Sequence, residues 1–189
     1  MRLTRSVRRI VLTLSGGLVF GAAYLGLEHV TGNVHTVIAG ELYRSGTLSP
    51  AALQALVDER GIRTIINLRG RHPDHAWWRG EEQIAERNGI ELIDLGWSAS
   101  KPLSDKQVTA FYAAIDAAPK PVLIHCMSGS DRSGLASALY LAHRLKSDEE
   151  TAEGQLSIVY GHIGLPFFPA EAMDDTFERL EPSLGYYGS

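Results

Sequence analysis

The chain holds a single cysteine among 189 residues, and it contains no repeat, no heptad pattern and no low-complexity tract. One cysteine excludes an intramolecular disulfide and a disulfide-stapled scaffold, so whatever chemistry Cys126 has is that of a thiol. Basic clusters are missing beyond Arg9. Of the 18 Lys and Arg, four precede residue 10, and of the 22 Asp and Glu only Glu28 precedes residue 30, so residues 30–189 carry 14 basic against 21 acidic side chains. Binding to a phosphate backbone needs clustered Lys and Arg, which argues against nucleic acid as a partner. A composition that is 44% hydrophobic and 21% charged excludes disorder and a polytopic membrane protein, and fits one folded domain.

The longest uncharged run is IVLTLSGGLVFGAAYLGL, residues 10–27, directly after Arg2, Arg5, Arg8 and Arg9. As a helix it would be about 27 Å long, enough to cross the hydrocarbon core of a bilayer. Arginines in front of it predict an N-terminus inside and the rest of the chain outside. The alternative is a cleaved signal peptide, with the small residues Gly21, Ala22 and Ala23 ahead of Tyr24. Either reading divides the chain into an anchor or signal segment, 1–29, and an exported domain, 30–189. The domain is then periplasmic or extracellular on a single-pass anchor, or secreted; a buried soluble helix is the remaining alternative.

Residues 28–41 have weak periodicity and read as a lead-in. Ser49 followed by Pro50 opens a helix with Leu53, Leu56 and Val57 on one face, closed by Gly61. The stretch IRTIINL, 62–68, reads as a buried strand and 69–74 as a loop. A helix is expected over 76–87, a strand over 90–95, a helix over 104–117 capped by Ser104, and a strand over 121–125. Further helices are expected over 132–145, 148–160 and 170–180. Strands alternating with helices of this length predict an α/β fold, a mostly parallel sheet flanked by helices.

Around the cysteine the chain reads PVLIHCMSGSDRSGLASALYLAHRL from Pro121. A strand ends at His125, five residues (Met127, Ser128, Gly129, Ser130 and Asp131) separate Cys126 from Arg132, and an apolar helix follows at once. A loop between the carboxyl end of a strand and a helix N-terminus is where an α/β sheet binds anions. Small residues let successive N–H groups turn inward as a phosphate cradle, and Arg132 adds a planar fork of donors. The same groups are expected to lower the thiol pKa. A thiolate beneath a phosphate can attack in line without a metal or cofactor. His125 is expected to fix the loop, and the Ser133 hydroxyl to help the thiolate leave.

The stretch HCMSGSDRS resembles the signature loop of the cysteine-dependent protein tyrosine phosphatases: His-Cys, five residues with Gly in the middle, then Arg and Ser or Thr. The resemblance runs from about Gly40 (GELYRSG, then GIRTIINLRG) to about Tyr160. It is to the small atypical dual-specificity phosphatases, including bacterial members with an N-terminal apolar segment. It implies a metal-independent phosphomonoester phosphatase working through a cysteinyl-phosphate, on a phosphorylated protein or on an inositol phosphate or phosphoinositide. The family usually carries a general-acid Asp on a loop upstream. Here Asp94 lies 32 residues before Cys126, while the later loop positions hold Ser98 and Ser100. Asp131, just before the arginine, is the second candidate by resemblance to myotubularins and certain secreted bacterial phosphatases. Asp105, in the first turn of a helix, reads as a dipole residue instead.

Arg69 and Arg71 follow a strand end and read as a solvated loop or as the lining of an anionic site. Trp77 and Trp78 read as core or as a cleft rim. His72, Asp74 and His75 lack a third nitrogen ligand, so no metal is expected. Two rival readings remain: a rhodanese-like sulfurtransferase, which also places a cysteine in a cradle loop, and a non-catalytic phosphate-binding adaptor. No obligate protein partner is expected.

Overall fold

Five short strands form one mixed sheet in the order β1-β2-β5-β3-β4. The computed structural model describes residues 31–187 together with Gly21 and Gly26. The run read as an anchor or signal therefore lies, apart from those glycines, outside the described residues. Among the described residues no helix is long and apolar enough to cross a membrane.

In chain order the elements are β1 His35–Ile38, β2 Leu42–Ser45, α1 Pro50–Arg60, β3 Thr64–Asn67, α2 Ala76–Asn88 and β4 Glu91–Asp94. Then come α3 Asp105–Ala117, β5 Val122–His125, α4 Asp131–Leu145, α5 Glu149–Glu153, a 3-10 turn Ile158–Tyr160, and α6 Glu171–Leu184. The β1/β2 pair is antiparallel and the other three pairings are parallel. The expected caps are present. Ser49 Oγ accepts from Ala52 N–H, Gly61 ends α1 in the left-handed region at φ 65°, and Ser104 and Gln107 form a capping box on α3.

Alternation along each strand sends successive side chains to opposite faces, and each face has its own core. Tyr43, Ile65 and Leu123 pack against Leu53, Leu56 and Val57 of α1 and Ile84 and Ala85 of α2. Leu42, Ile66, Val122 and Ile124 pack against α3, α4 and α6 through Phe111, Leu139 and Phe177 among others. β5 is thus central, paired on both sides and covered on both faces.

Two expectations change. The segment read as a lead-in contains β1, and the chain continues into β2, whose four residues are all buried. The polar Arg44 and Ser45 hid that strand from a hydrophobicity reading. The helix expected over 148–160 is instead α5 and a 3-10 turn, separated by Gly154 and by Ser157 in extended conformation. That break lets Gln155 and Tyr160 meet Arg44 and lets His162 meet Asp131, so tertiary contacts override helical periodicity.

Register places the carboxyl ends of four parallel strands at one level: Ser45 and Asn67 flank His125, and Asp94 flanks Asn67. The candidate site stands on this polar row.

Candidate active site

The segment Cys126–Asp131 turns from β5 into α4 and brings the sequence-predicted loop residues together around the buried Cys126. Gly129 makes the turn at φ 83°. A Cβ there would meet Gly46 N at 2.6 Å and the Ser45 carbonyl carbon at 2.8 Å, so both backbone angle and space require glycine.

Every carbonyl from Cys126 to Ser130 is held by a donor from outside the loop. Thr47 Oγ1 donates to Cys126 O at 2.9 Å and Thr47 N–H to Met127 O at 3.1 Å. Asn33 Nδ2 donates to Ser128 O at 3.0 Å, and Arg44 Nη2 donates to both Gly129 O and Ser130 O at 2.8 Å. With five carbonyls tied outward, the amide groups turn the other way, and Gly129 N–H donates to Cys126 Sγ at 3.3 Å. The arrangement is a ring of backbone dipoles with a sulfur at its base, of the kind that can hold an anion.

Arg44 is the main brace. It is wholly buried on β2, its guanidinium lies 4.2 Å from the Tyr160 ring centroid, and Nη1 donates to Gln155 O at 2.7 Å. Burial lowers its pKa to about 10, opposed by attraction to Cys126, Tyr160 and Asp131. Sequence reasoning missed Arg44 and Asn33. The available signal for Arg44 was a single cation inside the four-residue run LYRS, which has no solvent face.

His125 is buried and its Nε2 lies 2.9 Å from Glu81 Oε1, with Nδ1 3.3 Å from Cys126 O. Glu81 was also missed. It sits between Trp78 and Ile84 on the buried face of α2, and an acid on an apolar helix face signals a buried partner. Ser133 is buried, with its hydroxyl donating to Ser45 O at 3.3 Å. Arg132 is half-buried, with Nη1 donating to Trp97 O at 3.2 Å.

The two candidate acids are in different places. Asp94 ends β4 at the sheet edge, two strand spacings or about 10 Å from the β5 row. Its carboxylate accepts from Asn67 Nδ2 at 2.7 Å and from Trp78 Nε1 at 3.1 Å. Trp78 is accordingly core, as one of its expected readings had it. Asp131 belongs to the loop itself. Its Oδ1 lies 2.8 Å from His162 Nδ1, and His162 Nε2 lies 2.9 Å from Asp174 Oδ2 on α6.

His162 is only 3% exposed. Burial disfavours its charge, but hydrogen bonds and attraction from Asp131 and Asp174 outweigh that and raise its pKa to about 9. The folded value exceeds the unfolded one, so the stabilisation is complete below about pH 6.5 and is lost as pH rises through about 9. At roughly 1.4 kcal/mol per pKa unit this is on the order of 3 kcal/mol. His162→Asn is therefore expected to lower the unfolding free energy by that order near pH 6, with the gap narrowing towards about pH 10, in urea unfolding at both pH values. A gap that stays constant contradicts the charged bridge.

Among the described residues no group of three His, Cys, Asp or Glu side chains is arranged to hold a metal ion. The thiol, the inward amides and Arg132 can bind a tetrahedral oxyanion and attack it from below.

No curated protein matches the sequence. Solved structures do. TpbA from P. aeruginosa is 22% identical over 82% of this chain and 91% of that chain, with a TM-score of 0.61. A cysteine-to-serine variant of TpbA in complex with pTyr matches at 20% identity over the same shares, also with a TM-score of 0.61. The core catalytic domain of the PP-IP phosphatase SIW14 from S. cerevisiae, in complex with citrate, is 18% identical over 82% of this chain and 94% of that chain, with a TM-score of 0.58. At these identities the likeness shows a shared fold. The family model described as "DSP-PTPase phosphatase fused to NAD+ Kinase" matches residues 29–161, most of the chain and the whole of the loop and its braces up to Tyr160. The chain belongs to this DSP-PTPase family and is an enzyme, a cysteine-dependent phosphatase of the protein-tyrosine-phosphatase type.

Proposed function

We propose that this enzyme hydrolyses phosphomonoesters through a cysteinyl-phosphate, with Cys126 as nucleophile and Arg132 binding the phosphate in ground and transition states. The outward fastening of all five carbonyls from Cys126 to Ser130 carries this reading, because it leaves the amides to bind the equatorial oxygens above the sulfur. The S–P bond forms as the ester P–O bond breaks, and water then cleaves the S–P bond. Met127, Ser128, Gly129, Ser130 and Asp131 supply the amides, His125 and Glu81 hold the loop base, and Ser133 fixes the start of α4. Phosphotyrosine, phosphoserine and phosphothreonine in proteins form the first substrate class and inositol phosphates the second. TpbA in complex with pTyr and the PP-IP phosphatase SIW14 support the same two classes. The reading also keeps residues 1–29 as an anchor or signal and 30–189 as an exported catalytic domain, supported by the arginines ahead of the apolar run.

The proton for the leaving oxygen comes from the Asp131–His162 pair. His162 Nδ1 lies 2.8 Å from Asp131 Oδ1, and transfer of the imidazolium proton along that bond gives a neutral carboxyl within the loop. Asp94 fastens the sheet edge. Full chain in mild detergent, with EDTA and reductant, is expected to hydrolyse p-nitrophenyl phosphate, and folded but inert protein would end the reading. Asp131→Asn should slow phenyl phosphate, a poor leaving group, by about 100-fold and p-nitrophenyl phosphate far less. Asp94→Asn should leave that ratio where it was, and the reverse pattern would return the acid to Asp94.

A further inference from the structure

One cation beside the cradle has no role in this account. Leu68 N–H donates to His125 O at 2.9 Å, which carries the chain after β3 directly past Cys126, and Arg69 is the next residue. Arg69 Nη1 donates to Thr47 Oγ1 at 2.8 Å, and the same hydroxyl donates to Cys126 O. The guanidinium is therefore two hydrogen bonds from the cysteine carbonyl. Its other side is fixed by Trp77, whose ring centroid lies 3.6 Å from Arg69 Cζ. His72 leans on the same ring at 5.7 Å and reaches Arg69 O with Nε2 at 3.1 Å.

This arrangement holds a half-buried guanidinium rigid on two sides without neutralising it. Among the described residues no carboxylate lies within ion-pair distance of Arg69, and Nε and Nη2 have no protein acceptor. Burial and repulsion from Arg132 both lower its pKa, against attraction from Cys126 and Glu81. Arg69 and Arg132 repel one another, and an anion bound beside them relieves that repulsion. The scissile phosphate occupies the cradle and Arg132, so the free donors of Arg69 need a second anionic group.

We infer that Arg69, stacked on Trp77 and tied through Thr47 to the cradle, is a second anion subsite that takes a further phosphate group of the same substrate. The inference rests on the loop binding the scissile phosphate. It narrows the substrate class to compounds that carry a second phosphate next to the one removed, whether as a diphosphate or on a neighbouring atom.

Inorganic phosphate and inorganic pyrophosphate, each as a competitive inhibitor of p-nitrophenyl phosphate hydrolysis by the full chain in EDTA, test this directly. Pyrophosphate fills both positions and phosphate only one. Pyrophosphate is expected to inhibit at least about tenfold more tightly than phosphate, and Arg69→Gln should bring the ratio close to one. Arg69→Lys, which keeps the charge but loses the fork and the stack, should fall between. Arg79→Gln, an exposed arginine on α2, controls for general electrostatics and should keep the wild-type ratio. Turnover of p-nitrophenyl phosphate by each variant reports that it is folded. Phosphate inhibiting as well as pyrophosphate in the wild type, or a preference that survives Arg69→Gln, overturns the subsite and leaves the cradle standing. No turnover of p-nitrophenyl phosphate by the folded wild type overturns the cradle, and the subsite with it.

Discussion

Cys126→Ser is expected to lower turnover of p-nitrophenyl phosphate by about a thousandfold or more while the protein stays folded. Cys126 is 1% exposed at the end of a core strand, and serine is slightly smaller with an oxygen that still accepts the Gly129 N–H, so the loop keeps its shape. What is lost is the nucleophile, since a serine hydroxyl with no base beside it attacks phosphorus poorly. Phosphate binding, which depends on the amides and Arg132, should persist. Turnover within about tenfold of wild type would mean that another group or water attacks directly. Thermal unfolding and phosphate inhibition, measured on the same sample, separate loss of chemistry from loss of fold.

Arg44→Met has the second largest effect and acts on both stability and turnover. Methionine fills most of the volume, and exchanging a buried charge for a hydrophobe is often neutral when its partners leave too. Here the partners stay. Gly129 O and Gln155 O lose their donor in a site closed to water, at roughly 1–3 kcal/mol per unpaired group, while Ser130 O keeps Gly134 N–H. A loss of about 3–5 kcal/mol in urea unfolding is expected. The freed Gly129 carbonyl can then rotate towards the sulfur and turn the following amide away, which should cost about 100-fold in kcat/KM. Wild-type stability and rate together would show that the loop holds its own shape and that Arg44 is filler.

The loop itself was legible from sequence because chemistry and backbone need coincide there. Cys126, Gly129 and Arg132 each have one workable position between a strand and a helix. The helix ends at Ser49, Gly61 and Ser104 were legible because capping is local. What holds the loop in place was not legible. Arg44, Asn33, Glu81 and His162 come from four separate segments, lying 45 or more residues from Cys126 except for His162, and none has a local pattern that names its partner. Asn33 sits at φ 50° in a stretch without periodicity, and His162 follows a break in what reads as one continuous helix. Asp94 was visible as an acid at a suitable distance in sequence, but only strand order shows that it lies on the far edge, fastened to Trp78 and Asn67. Arg69 could be read as solvated or as anion-lining, and the choice turned on Trp77 and Thr47, one helix and one strand away.

The most direct test of the account is to quench the full chain in acid within a single turnover, with enzyme in excess over p-nitrophenyl phosphate, and weigh the intact protein and its peptides. A transient gain of one phosphoryl group is expected on the peptide containing Cys126, absent from Cys126→Ser and decaying as inorganic phosphate appears. Product released at the full wild-type rate with no phosphoryl adduct, or with the adduct on a residue other than Cys126, would contradict it.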